Sequence, residues 1–159
     1  MEFAIQVGGG QVRHDQTARR RMGRLIHMVP KIGAAGTTTL DEVRRFTDTA
    51  LPAKLARVRA AAAGAGRDPR GIRFASTIFN FALTDSAAET RAFAERMSGM
   101  FGMTPADFLT HPIALVGTPD EMIVELQRRQ RVHGLALLAI NFTGPQQIRA
   151  FGERVLPHL

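Results

Sequence analysis

An α/β fold with parallel strands is what this sequence predicts, and three observations predict it. Leu135 to Ile140 (LALLAI) is apolar without alternation. A strand covered on both faces reads that way, and such strands belong to parallel sheets with helices outside. Strand-like and helix-like segments alternate along the chain, the order that βαβ units produce, and each crossover is then right-handed. Finally, Gly117 to Gly134 (GTPDEMIVELQRRQRVHG) carries a full set of helix start and stop signals. Thr118 is the N-cap, Pro119 the first helical residue, and Glu121 closes a capping box. Gly134 supplies the left-handed stop.

The elements follow in order. Phe3 to Val7 is a short apolar run ending in Gly8, Gly9 and Gly10, a strand entering a tight turn. Gln11 to Arg24 has no apolar stripe of helical period and reads as a basic irregular segment. Leu25 to Val29 is a second strand, stopped by Pro30, and Lys31 to Thr38 is a loop. Thr39 and Glu42 have capping-box spacing and open a helix, which Pro52 interrupts and restarts. Leu55, Val58, Ala61 and Ala62 carry its apolar face to Gly64. After the turn Gly64–Gly71, Ile72 to Leu83 (IRFASTIFNFAL) reads as one strand, rich in β-branched and aromatic residues. Thr84 or Asp85 caps the next helix, striped by Phe93, Met97, Met100 and Phe101. These residues, with Met103, are read as core before cofactor lining. Thr104, Pro105 and Asp107 open a short helical turn. Met122, Ile123 and Leu126 line one face of the helix after Thr118. Ile148, Phe151 and Val155 stripe a last helix over Gln146 to Leu156. The expected order is strand, loop, strand, helix, strand, helix, helix, strand, helix.

Composition sets the class. A chain of 159 residues fits one domain with a core. A hydrophobic share of 45% with 22% charged residues is that of a globular protein. No apolar run approaches the ~18–20 residues of a membrane helix. No basic segment precedes the N-terminal apolar residues, so no secretion signal is read and the cytoplasm is the expected location. The absence of Cys excludes disulfides and Cys-ligated zinc. The net charge of +7 raises nucleic acid as a partner. Arginine supplies 19 of the 21 basic residues, beside abundant Ala and Gly. GC-rich codons produce that composition without any selection for nucleic acid.

Candidate sites are few. The amides of Gly8, Gly9 and Gly10 could face a phosphate; a turn without a ligand is the plainer reading. The arginines between Arg13 and Arg24 could grip a phosphate-rich partner, but a solvated basic segment is the preferred reading. His14, His27, His111, His133 and His158 show no metal-ligand spacing, and no metal is expected. No HExxH, P-loop or Ser-His-Asp arrangement is visible. Thr118 and Glu121 are capping residues, and no catalytic residue is assigned.

From Gly117 onward the sequence resembles a family. GTPDEMIVELQRRQRVHGLALLAINF and the tail FGERVLPHL are similar to the carboxyl-terminal end of luciferase-like monooxygenases. Gly117, Thr118, Pro119, Asp120 and Glu121 match the turn that opens the family's last long helix. Phe151, Val155, Leu156, Pro157 and Leu159 match its tail. IRFASTIFNFALTDSAAE resembles the penultimate strand with its helix, and Val7 to Gly10 the Gly-rich end of an earlier strand. Gln11 to Met28 departs from the pattern, lacking the family's amphipathic helix.

The resemblance implies a (β/α)₈ TIM barrel and an oxidoreductase or monooxygenase using FMN or the deazaflavin coenzyme F420 on a small-molecule substrate. Gly8, Gly9 and Gly10 would then contact the cofactor phosphate. A full barrel takes about 250 residues, so residues 1–159 are expected to form about half of one. They would make a single truncated domain, with 11–24 irregular and 114–159 the last βα unit and C-terminal helix. Such a domain is expected to be incomplete as an enzyme and inactive alone. Its open sheet edges would seek a partner, such as a second copy of itself. A non-enzymatic α/β binding or dimerisation module is the alternative, and a basic nucleic-acid-binding protein the less favoured one.

Overall fold

The computed structural model describes the backbone of residues 2–6 and, in full, residues 25–34 and 36–159. Six strands and six α-helices lie among them. The strands are β1 (Glu2–Gln6), β2 (Leu25–Met28), β3 (Arg73–Ile78), β4 (Asn80–Leu83), β5 (Ala114–Gly117) and β6 (Leu135–Asn141). The helices are α1 (Leu40–Arg44), α2 (Leu51–Gly64), α3 (Ala87–Phe101), α4 (Pro105–Thr110), α5 (Pro119–His133) and α6 (Pro145–Arg154). Every strand pairing among the described residues is parallel. The α/β class with parallel strands is therefore the class this chain adopts. The strands form two sheets, one in the order β1-β6-β3-β2 and one of β4 with β5.

Two expectations about strands are corrected. Ile72 to Leu83 is not one strand. Its first part pairs with β2 and β6, its second with β5, and Phe79 stands between them. The Phe79 and Asn80 amides both donate to the Ile113 carbonyl, at 2.8 and 3.1 Å, so the ladder changes partner at that residue. Composition alone is continuous across the break. The second correction is β5, which no pattern marked. Four residues are too few to show periodicity, and their pairing with β4 makes them a strand.

β6 sits centrally, between β1 and β3. Leu135, Leu138 and Ile140 are buried, while Ala136, Leu137 and Ala139 are only half-buried. Its all-apolar sequence thus reflects a central parallel strand with one closed face and one partly covered face. On the closed side, Leu138 and Ile140 meet Ile78, Phe81, Leu115, Met122, Leu126, Phe151 and Val155, which brings α5 and α6 onto the sheet. A second cluster joins β2 and β3 to α1 and α2 through Met28, Val43, Phe46, Leu55 and Phe74. A third holds α3 and α4 on β5 around Ala94, Phe108 and Ala114.

The helix ends show how closely local sequence was followed. Thr118 and Glu121 form the reciprocal capping box, and Gly134 stops α5 at φ 64°. Thr104 caps α4, ahead of Pro105. Thr39 caps α1, but Glu42 does not reach back; it lies 3.6 Å from Arg45. The helix break falls before Pro52, at a 3-10 turn (Asp48–Ala50) capped by Thr47. Neither Thr84 nor Asp85 caps α3. Ser86 does, because the Thr84 hydroxyl is turned inward to Thr90 at 2.7 Å. Met100 leaves the expected stripe at 66% exposure, as does Ala61 on α2. The last helix is shorter than expected and ends in a 3-10 turn at Leu156–His158.

One arginine joins these layers. Arg129 of α5 is 2% exposed. Its Nε donates to Glu125 Oε1 at 2.7 Å, and its Nη2 to the Ala114 carbonyl at 2.8 Å. Weaker bonds reach the Pro112 and His111 carbonyls. Burial pushes the guanidinium's pKa down, against the pull of Glu125. Arg128 binds Asp48 through two bonds, at 3.0 and 2.8 Å, and shares Glu125.

Arg129→Ala is expected to lower the unfolding free energy by about 3–5 kcal/mol, since it leaves a buried carboxylate and three carbonyls short of a donor. Arg131→Ala, on the exposed side of α5, is expected to stay within about 0.5 kcal/mol. Urea unfolding monitored by circular dichroism compares the two.

Candidate functional site

In parallel α/β folds, ligand sites gather beyond the carboxyl ends of strands, where loops are free to vary. Here a cavity of about 410 Å³ opens directly after β2 and at the β3–β4 break. Val29 and Pro30 come from the end of β2, and Phe79 and Asn80 from the break. Ile113, Phe101 and Val43 supply more apolar wall, and no charged side chain is among the described lining residues. Three residues around it are unusually exposed for their type: Ile32 at 56%, Phe79 at 50% and Leu40 at 49%. Exposed apolar groups gathered at one cavity mark a binding surface. Asn80 and Thr38 are its polar groups, and the Thr38 hydroxyl is already given to the Lys31 carbonyl at 3.0 Å.

His27 stands close to this cavity. Its Nε2 lies 2.7 Å from Thr77 Oγ1, one strand away. Burial lowers its pKa, and a hydrogen bond with the Ser76 backbone acts in the opposite direction. His27 is exposed, whereas its strand neighbour Met28 belongs to the core beneath α1 and α2. His27 therefore lies on the sheet face away from those helices, as alternation along a strand requires.

A larger hollow of about 570 Å³ lies between α1, the Asp48 turn and the α3–α4 connection. Its polar groups are committed elsewhere. Arg44 donates to the Phe101 carbonyl and to Asp41, each at 2.8 Å. Asp48 is taken by Arg128 and His133, and Thr104 by Asp107. Nothing there converges on a ligand, so the apolar cavity is the better candidate.

The candidates named from the sequence divide by position. Gly8, Gly9, Gly10, His14 and the arginines from Arg13 to Arg24 lie outside the described residues. His111 is buried, with Nε2 3.0 Å from the Val43 carbonyl and Nδ1 accepting from the Ile113 amide. Burial lowers its pKa, the Val43 bond opposing. His133 is buried at the end of α5 with Nε2 2.7 Å from Asp48, while its Nδ1 has no partner. Both histidines hold helices and loops in place. Phe93, Met97, Phe101 and Met103 pack around Phe108, as core reading requires. Among the described residues no group of three or more His, Cys, Asp or Glu could hold a metal, and no helix is long and apolar enough to cross a membrane. The cavity and the His27–Thr77 pair were missed because they join segments about 50 residues apart. A hint was available in the single histidine of the otherwise apolar run LIHMV.

Several solved structures superpose on this chain. Monooxygenase RslO1 from Streptomyces bottropensis shares 22% identity over 89% of this chain and 44% of its own, with a TM-score of 0.49. The coenzyme F420 dependent tetrahydromethanopterin reductase from Methanopyrus kandleri shares 14% identity over 84% and 50%, with a TM-score of 0.49. DmoA from Hyphomicrobium sulfonivorans shares 15% over 99% and 40%, again at 0.49. This chain spans half or less of each. No family model matches it, and no curated protein does.

The folded chain should lose stability in two stages on acidification. His27 and His111 titrate lower when folded than the ordinary 6.5. The unfolded chain therefore binds more protons as pH drops below 6.5, and stability falls from there. Burial tends to raise Asp48 and Glu125, but bonds from Arg128, with His133 on Asp48 and Arg129 on Glu125, hold both below their ordinary 3.8 and 4.5. Their contribution is complete above those values and is lost as pH falls beneath them. Urea midpoints measured between about pH 8 and 3 should show both declines. His111→Gln should flatten the upper one.

Proposed function

We propose that this chain is the carboxyl-terminal part of a luciferase-like oxidoreductase that works with FMN or coenzyme F420. The observation that carries the reading is the unit from Gly117 to Asn141. The Gly-Thr-Pro-Asp-Glu turn forms a full capping box, opens a 15-residue helix, and passes through left-handed Gly134 into the central parallel strand. These are the structural roles that the sequence resemblance assigns to Gly117, Thr118, Pro119, Glu121 and Gly134.

The cofactor's parts place different demands on the protein. The cavity at the β2 and β3 ends has an apolar, uncharged lining and a volume suited to an organic ring system. Its described lining offers no cation for a phosphate. That role falls to the backbone amides of Gly8, Gly9 and Gly10, which follow β1 in sequence. When bound, the cofactor would supply the hydride or oxygen chemistry, and the protein would bind and orient it. Reaction of a small organic substrate would take place in the complete barrel. Residues 1–159 by themselves are expected to show little or no turnover.

A second reading is favoured by one feature. β1 and β2 are the outer strands of the four-stranded sheet, so each presents an edge that no described strand covers. A second copy of this chain could pair there and complete the layer. Assembly would then restore the binding site, or serve as the chain's whole role as a non-enzymatic dimerisation module.

Fluorescence titration with FMN and with F420, run beside size-exclusion light scattering, tests both readings. Saturable binding of one cofactor that falls at least 10-fold in Gly9→Val supports the oxidoreductase reading. Absence of binding to either cofactor overturns it for this chain. A dimer that binds neither leaves the assembly role standing.

A further inference from the structure

We propose that the apolar cavity and the His27–Thr77 pair form one binding site for a hydroxylated aromatic molecule. His27 and Thr77 each stand two residues before a residue that lines the cavity, Val29 and Phe79 respectively. Two residues of extended chain cover about 6.6 Å and return the side chain to the same face. The pair therefore borders the cavity at the carboxyl ends of two adjacent strands. It brings an imidazole to the inner end of a wall otherwise built from Val, Pro, Ile, Leu and Phe.

The chemistry of the ligand follows from that division. Phe79, Ile32 and Leu40, all exposed at the rim, gain from covering by an apolar ring. The 2.7 Å contact between His27 and Thr77 uses one hydrogen of the pair, whichever way it points. What remains is a lone pair on one partner and, depending on tautomer, a donor on the other. A hydroxyl both donates and accepts, so it can complete either arrangement. A carboxylate or phosphate is disfavoured, since the described cavity lining holds no cation.

This inference stands on the cavity and the pair, without the cofactor reading, and either can fail alone. The test is direct binding of 2-naphthol and naphthalene to the full chain, followed by their fluorescence. The two probes share a ring system and differ by one hydroxyl. The parent chain is expected to bind 2-naphthol roughly 10-fold more tightly, the ratio that a good hydrogen bond inside an apolar site provides. His27→Leu and Thr77→Val should bring the ratio close to one while naphthalene binding is kept. Phe79→Ser, at an exposed position that the fold does not need, should weaken both probes several-fold. Equal binding of the two probes by the parent, no saturable binding of either, or an unchanged ratio in His27→Leu would each overturn the proposal. Phe79→Ser without effect on either probe would overturn the placement in this cavity.

Discussion

Arg129 sets the arrangement of this molecule. A guanidinium that far from water is tolerable only when its donors are used, and here they are used on two different parts of the chain. Glu125 neutralises it from one turn earlier on the same helix. The carbonyls of His111, Pro112 and Ala114 take the remaining hydrogens. Those three carbonyls belong to the segment that leads into β5, where the ladder has not yet begun and backbone acceptors lack partners. The arginine thus replaces hydrogen bonds that a longer strand would have made. That is why a four-residue strand can hold its place between β4 and the helices.

Asp48 extends the same network to the opposite layer. Arg128 and His133 come from neighbouring turns of α5 and meet on this one carboxylate, at 2.8 and 2.7 Å. Asp48 begins the 3-10 turn that leads into α2. Two helices more than 60 residues apart in sequence are fixed by groups that must all be charged or hydrogen-bonded together. Apolar packing alone would allow α2 to slide along its groove, because the alanines near its end offer little relief. The directional bonds remove that freedom.

The sequence exposed the fold to the extent that its signals were local. Thr118, Pro119, Glu121 and Gly134 act within one helix, and each was readable. So was the parallel character of β6, since no alternation can hide in LALLAI. What escaped was relational. The break at Phe79 exists because the strand changes neighbour there, and the residues on either side are equally strand-like. Arg129 read as one more surface arginine in QRRQR, and only three-dimensional proximity to unpaired carbonyls reveals otherwise. Ser86 displaced two better-placed capping candidates because Thr84 had a buried partner. The candidate site had the same character: an imidazole on one strand, a hydroxyl on the next and an apolar hollow after both. The glycines proposed for phosphate binding are a local signal, but their placement lies outside the described residues.

The register of β1 carries a consequence for how the molecule is made. Glu2 lies opposite Leu137, a separation of 135 residues, and β6 is the strand that joins β1 to the rest of the sheet. Closing so long a loop has an entropic cost that nearby contacts must first offset. During synthesis, the first strand emerges with no partner and stays without one until almost all of the chain has followed. The layers built by α1 to α4 can gather around β2 and β3 in the meantime. The middle of the sheet is therefore its last part to form, and an early apolar strand waits exposed for it, a period in which a ribosome-associated chaperone has something to hold.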